Sequence, residues 1–502
     1  MTTIRRSKRM EKKTIGIFVL CLLESFMGAK AQEGESVSTC NKQSYQQFKG
    51  QAMQEYNAFN VQAVSEYEQF LAEAWNEYHC FSGDKSAFSS PKPENIPALK
   101  LSSGVIDTQA PAIDEVILST ENKPTFMEED ANTTLPHPDK VAISFYGCKL
   151  SFLIPDKLRI TSTGTRETEV AKYYKTMGDN SEVQPLQRAL DACVNRLGLN
   201  EWGYFVLLRS LSEEVFSKMN DRVLFCFFML HDHGFKVRVG RGRNSGQLML
   251  LLALDNSKEV YSLSFFRFNS VKYYCVYGGK AGEDAYSYNE RADETGRKEM
   301  GLDFEHTLNM ATCNKSRSLY LPKVNQTVAL PYSTSHLRYY DDMPMTVFPV
   351  YFKTGVSVEA EQVLTSTFYN LSQHYNKVQL VDIMLNFVQT AFSYKIDEEQ
   401  FGREKYFFPE EVIGYPYSDC EDRSALFAWM VRRFAGCEVI GVLYPDHLAT
   451  GVYFGEGIYL PGKSVYHNGK QYMICDPTYP NAPIGTVMPK FIYAKYEIVD
   501  VR

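Results

Sequence analysis

Four short stretches in the middle of this chain recur, in the same order, near its end. LNEWGYFVLL at 199–208 is similar to KVQLVDIMLN at 377–386, and NDRVLF at 220–225 parallels EDRSAL at 421–426. FKVRVG at 235–240 parallels CEVIG at 437–441, and KYYCVY at 272–277 parallels QYMICD at 471–476. No single match is long, but a shared order of helix-like and strand-like segments is what a duplicated unit produces. The chain is therefore expected to fold one arrangement of helices and strands twice.

The second copy holds three residues that the first lacks: Cys420, His447 and Asp476. Cys420 opens the amphipathic run 424–431, His447 lies at a turn before a strand-like run at 449–454, and Asp476 follows another at 471–475. A nucleophile at a helix start, with a base and its orienter on neighbouring strands, is the layout of a cysteine triad. In the first copy Met219 stands in the place of Cys420, Gly246 or Gln247 near that of His447, and Tyr277 in that of Asp476. A thioether cannot become a thiolate, so the first copy reads as a structural or ligand-binding relic. Its two helices follow each other almost directly. The second copy instead inserts 394–419, rich in aromatics, prolines and acids, where a substrate-binding loop is expected.

Ser418 and Glu421 have the spacing of a capping box, which would set Cys420 in the first helical turn. The helix dipole there is worth only ~0.3–1 kcal/mol, too little to ionise a thiol whose pKa is ordinarily ~8.5. An imidazolium from His447 must supply most of the activation. Glu421 and Asp422 oppose it by adding negative charge, and Asp422 and Arg423 read as structural because the first copy retains them as Asp221 and Arg222. Asp446 rivals Asp476 as orienter, but on an extended segment it would point away from its neighbour His447. The backbone N–H of Cys420 supplies one oxyanion donor; Tyr417 and Gln389 are candidates for a second. Cys226, Cys437 and Cys475 fit the role of small buried hydrophobes. With no H-x-x-x-H and no paired C-x-x-C pattern, neither a metal site nor a cofactor is expected.

The chain opens like an export signal: Arg5, Arg6, Lys8, Arg9, Lys12 and Lys13, a short apolar run at 15–23, and Ala29-Lys30-Ala31 as a cleavage pattern. The run falls well short of the ~20 residues that span a bilayer, so a cleaved signal and a periplasmic or secreted product, with no stable membrane span, are expected. A long amphipathic helix is expected at 41–80, a proline-punctuated linker at 81–138, and helical patterns across 183–216. The repeats then fall at 139–280 and 328–502, joined by a connecting segment at 281–327. A net charge of -7 argues against nucleic acid as a partner, and eleven cysteines in 502 residues are too few for a disulfide framework.

The segments Ser418-Asp419-Cys420-Glu421-Asp422-Arg423, Tyr444-Pro445-Asp446-His447 and Cys475-Asp476-Pro477-Thr478 resemble the three signatures of the transglutaminase-like superfamily, in its bacterial exported branch. The resemblance covers 328–502 well and 139–277 only as a decayed relative. It implies an α+β fold of tandem papain-like domains, each a helix layer on an antiparallel sheet. It also implies acyl transfer through a thioester, with Cys420 as nucleophile, His447 as base and Asp476 as orienter. The acceptor would be water or an amine, and water is the default in a periplasm. The expected partners are a peptide or protein substrate, with a glycan or protein as the partner of an alternative: a catalytically inactive scaffold for binding or assembly.

Overall fold

The structure is a computed structural model that describes residues 138–501, except 269, 281–282, 288–296 and 311–312, together with a two-residue strand at Glu115–Val116. The expected signal segment and long helix lie outside the described residues, as does nearly all of the expected linker. Within them the chain is α+β with antiparallel sheets.

The first copy opens with a hairpin, β1 (Lys140–Phe145) and β2 (Cys148–Leu153). Tyr146 and Gly147 both take positive φ between them, the geometry that tight two-residue hairpins favour. Helices α1 (Glu167–Gly178), α2 (Val183–Leu197), α3 (Glu201–Val215) and α4 (Met219–Asp232) follow. The helical stretch read from sequence across 183–216 is broken at Gly198, whose φ of 63° ends α2. A Cβ there would lie 2.2 Å from the Thr307 carbonyl oxygen, so only glycine fits. Strands β3 (Val237–Gly242), β4 (Leu248–Ala253), β5 (Phe265–Phe268), β6 (Val271–Gly278) and β7 (Ala285–Tyr286) form a sheet in the order β5-β6-β4-β3-β7.

The second copy repeats the plan. A hairpin, β8 (Lys315–Leu321) and β9 (Gln326–Tyr332), is followed by α5 (Thr334–Asp341), α6 (Phe348–Lys353), α7 (Val358–Ser372) and α8 (Lys377–Ala391). The hairpin crosses residue 328, so the second unit begins earlier than the sequence pattern placed it. The insert at 394–419 folds as β10 (Ser393–Tyr394), α9 (Asp397–Phe401), α10 (Pro409–Gly414) and β11 (Tyr417–Ser418), with Phe407 and Phe408 buried. Helix α11 (Cys420–Met430) leads into β12 (Glu438–Tyr444), β13 (His447–Tyr453), β14 (Ser464–His467), β15 (Lys470–Cys475) and β16 (Glu497–Val499). Their order is β14-β15-β13-β12-β16, the same permutation as in the first sheet.

The agreement reaches single residues. Asn200 caps α3 by accepting the Gly203 N–H at 3.0 Å, and Asn376 caps α8 by accepting the Gln379 N–H at 3.0 Å. Both helices end on phenylalanine with almost identical dihedrals, Phe216 at φ -121°, ψ 135° and Phe392 at φ -120°, ψ 135°. The caps align Asn200 with Asn376, which corrects the slipped sequence match of Leu199 with Lys377. Arg222 of α4 donates to the carbonyls of Phe216 (2.7 Å) and Glu213 (3.3 Å). Arg423 of α11 donates to the equivalent carbonyls of Phe392 (2.7 Å) and Gln389 (3.4 Å). This clasp ties the end of one helix to the start of the next, and explains why the arginine outlives the cysteine.

One continuous apolar core runs through both copies, from Ile143 to Val501. In β4, Leu248, Leu250 and Leu252 enter it while Met249, Leu251 and Ala253 pack into a separate cluster on the opposite face, the period of two that a strand covered on both sides requires. The second sheet has its own rear cluster around Ile440, Val442, Ile474 and Phe491.

Because Arg423 is 2% exposed and Arg222 is only half buried, Arg423→Ala should cost about 3 kcal/mol and Arg222→Ala about 1 kcal/mol. Urea unfolding of the two variants reads the difference, and equal losses would contradict a clasp made costly by burial.

Candidate functional site

His447 is the first residue of β13, opposite Tyr444 across the two-residue turn Pro445-Asp446. It is fully buried, and its Nε2 lies 2.8 Å from Asp476 Oδ2. The other carboxylate oxygen, Oδ1, accepts the Thr478 hydroxyl at 2.8 Å and the Thr478 N–H at 3.0 Å. Burial pushes the Asp476 carboxyl up, but the imidazole and Thr478 outweigh it and hold it below the usual carboxylate range. The Phe491 ring, from a short 3-10 turn, stacks on the imidazole at 5.2 Å and 4°, and Tyr444 stacks on Phe491 at 4.7 Å. The imidazole is thereby fixed in position, with its Nδ1 buried and lacking a hydrogen-bond partner.

Asp446, the rival orienter, faces away and pairs with Lys490 at 2.9 Å. Gln389 is not free to act on a substrate: its Nε2 donates to the carbonyls of Asp476 (2.9 Å) and Ala482 (3.0 Å), which anchors the loop after Asp476 to α8. Tyr417 is 39% exposed. Of the two residues offered above as oxyanion donors, Gln389 is thus committed to backbone carbonyls, and the Tyr417 ring lies 5.4 Å from Lys395 Nζ.

Cys420 is the first residue of α11, as expected, but the cap is one residue later than the sequence pattern placed it. Asp419 is the N-cap, and its N–H donates to Asp422 Oδ2 at 3.2 Å. Ser418 instead accepts from Arg423 Nε at 3.2 Å. The thiol is 2% exposed and donates to Glu421 Oε2 at 2.9 Å, not to His447. Burial pushes its pKa well up, the Glu421 and Asp419 charges push it further, and the Leu448 N–H works in the other direction. That N–H belongs to the residue after His447, so the sulfur sits against the start of β13. The structure thus joins His447 to Asp476 and seats Cys420 beside the same strand, with its proton held by a carboxylate.

The carboxylates around the thiol form a site the sequence reading missed. Asp397 of α9, Asp419 and Glu421 each bring an oxygen within 4.8 Å of the others, and all are buried. Asp419 Oδ1 has no hydrogen-bond partner. Asp422, fully buried, is satisfied by the Phe407 N–H at 2.8 Å. Burial, then the charges of Asp422 and Glu421, push Asp397 up to about 10, and burial with neighbouring carboxylates raises Asp419 and Asp422 well above the usual range. Like charges this close must share protons or a cation. Hard oxygen donors of this kind suit Ca²⁺ or Mg²⁺, and Asp397, Asp419 and Glu421 are the residues that could hold one. The signal in the sequence was the pair of acids flanking Cys420; their partner Asp397 lies too far upstream to be found by spacing.

No protein-family model, curated protein or solved structure matches this chain.

A carboxyl whose folded pKa is raised favours the fold below its unfolded pKa of ~4 and weighs against it as pH rises toward the folded value. Metal-free protein should therefore lose stability as pH rises from about 4 toward about 10, and Ca²⁺ should restore it by about 2.7 kcal/mol at a hundred times its Kd. Thermal melts with and without chelator read this. Melts that ignore Ca²⁺, Mg²⁺ and Mn²⁺ alike would leave the cluster as protonated core.

Proposed function

We propose that this protein is an exported cysteine acyl-transfer enzyme of the transglutaminase-like type, acting on peptide or other amide bonds through a thioester. The observation that carries the reading is the buried His447–Asp476 pair, whose unpartnered Nδ1 is a base with its lone site unspent, on the strand against which Cys420 sits. The Cys420, His447 and Asp476 signatures supply the family resemblance, and the repeated hairpin, helices and five-stranded sheet favour tandem domains of that type, the first degenerate.

In this chemistry His447 takes the thiol proton and the sulfur attacks the amide carbon. The C–N bond then breaks as the imidazolium protonates the leaving amine. Water attacks the thioester in turn, releasing the acid and returning the proton to sulfur. Asp476, held ionised, stabilises the imidazolium and fixes its orientation. Hydrolysis is preferred over transfer to an amine because nothing in the chain marks a lysine site. A cation taken up by Asp397, Asp419 and Glu421 would remove the negative charge that keeps the proton on sulfur. The substrate side is a peptide or protein. The export pattern at 1–31 accords with action outside the cytoplasm.

One observation favours a second reading, a non-catalytic scaffold for a protein or glycan: the thiol is bonded to Glu421 and its pKa is raised. A broad screen of peptide amides and amine acceptors, run on native protein and on Cys420→Ala, separates the two. The enzyme reading expects turnover that falls at least about 10³-fold in the variant. Turnover that survives the substitution would overturn Cys420 as the nucleophile, and none with any substrate would favour the scaffold.

A further inference from the structure

Attack on an amide carbonyl places negative charge on its oxygen, and oxyanion holes hold that charge with paired donors. The N–H of Cys420, in the first turn of α11, is among those a helix leaves unpaired and serves as one. Gln389 is committed to the Asp476 and Ala482 carbonyls, and Tyr417 is 39% exposed. We propose that the Tyr394 hydroxyl is the second oxyanion donor, an inference that rests on the acyl-transfer reading.

Tyr394 lies in β10, and the parallel pairing of β10 with β11 sets it opposite Ser418, just ahead of Cys420. Its ring lies under the Arg423 guanidinium at 5.6 Å. That guanidinium is itself pinned by Phe392 O, Gln389 O and Ser418 Oγ. The ring is therefore held from two sides while the hydroxyl is buried without a hydrogen-bond partner. Leaving a buried polar group unpaired costs about 1–3 kcal/mol, a cost that function explains and packing does not. Burial acts first on the hydroxyl, then the charges of Cys420, Asp419 and Glu421, with Arg423 opposing them. Burial and these charges raise its pKa, so it keeps its proton to donate.

The first copy supports the assignment. With only two residues between Phe216 and Met219, the first copy has no counterpart of the segment that carries Tyr394, and Met219 replaces the nucleophile, so the proposed donor and the sulfur it serves are missing together.

The test compares two reactions of the same thiol in the full chain. Acylation by p-nitrophenyl acetate transfers the acetyl group to sulfur, breaks the C–O bond and expels p-nitrophenolate, with the thiol proton passing to His447; it passes through an oxyanion. Alkylation by iodoacetamide displaces iodide at a saturated carbon and forms none. Rates at Cys420 are read by mass spectrometry, with Cys420→Ala as the blank. Tyr394→Phe is expected to slow acylation about 10²-fold, in the range of a lost oxyanion donor, and to leave alkylation within about twofold of native. The inference is overturned if Tyr394→Phe acylates at the native rate, or if both reactions slow equally, since a merely structural tyrosine would act on both. Absence of Cys420 acylation in the native protein would remove the acyl-transfer reading and this inference with it.

Discussion

Much of the second copy turns on the carboxylates packed into the first turn of α11. Asp419, Glu421 and Asp422 are all at least 95% buried there, with Asp397 brought against them from α9. A helix N-terminus offsets only ~0.3–1 kcal/mol of such charge, far less than burial costs an unpaired carboxylate. The deficit shapes the surroundings. Asp422 is satisfied by the backbone of the insert through Phe407, which docks that segment, and Glu421 accepts the Cys420 thiol proton. The same feature that organises the site therefore also restrains its nucleophile. Protons or a hard cation relieve both at once.

The first copy shows the alternative. Lys218 and Asn220 stand at the positions of Asp419 and Glu421, and only Asp221 is kept, accepting the Ser162 N–H at 2.7 Å. Without crowded acids there is no insert, no tyrosine and no thiol. What survives is mechanical. The Asn200 cap of α3 receives the Tyr339 hydroxyl from the second copy at 2.6 Å, and the Trp202 indole donates to Asp342 O at 3.2 Å. With a core shared across both copies, the first copy acts as a buttress for the second.

The repeated order of helices and strands was legible because it is local: it rests on short runs whose residue types and period carry the information. Helix and strand identities followed for the same reason, and the errors arose where a single backbone angle decides. Gly198 breaks a helical run, and the cap falls on Asp419 rather than on Ser418. The remainder depends on contacts between distant segments. Asp397 meeting Glu421, Phe491 stacking on His447 and Gln389 anchoring the Asp476 loop leave no spacing pattern in the chain. Gln389 was misread for a related cause: a polar side chain near a site looks available until its partners are seen.

The central claim is that Cys420 becomes a thiolate through His447 once the neighbouring acids are neutralised. The measurement that tests it most directly is the pH dependence of Cys420 alkylation in calcium-loaded protein, native against His447→Ala. The account predicts fast labelling that persists below about pH 6 in the native protein and is lost in the variant, the behaviour of a thiolate–imidazolium pair. Labelling that rises only near pH ~8.5 in both proteins would mark an ordinary thiol and contradict it.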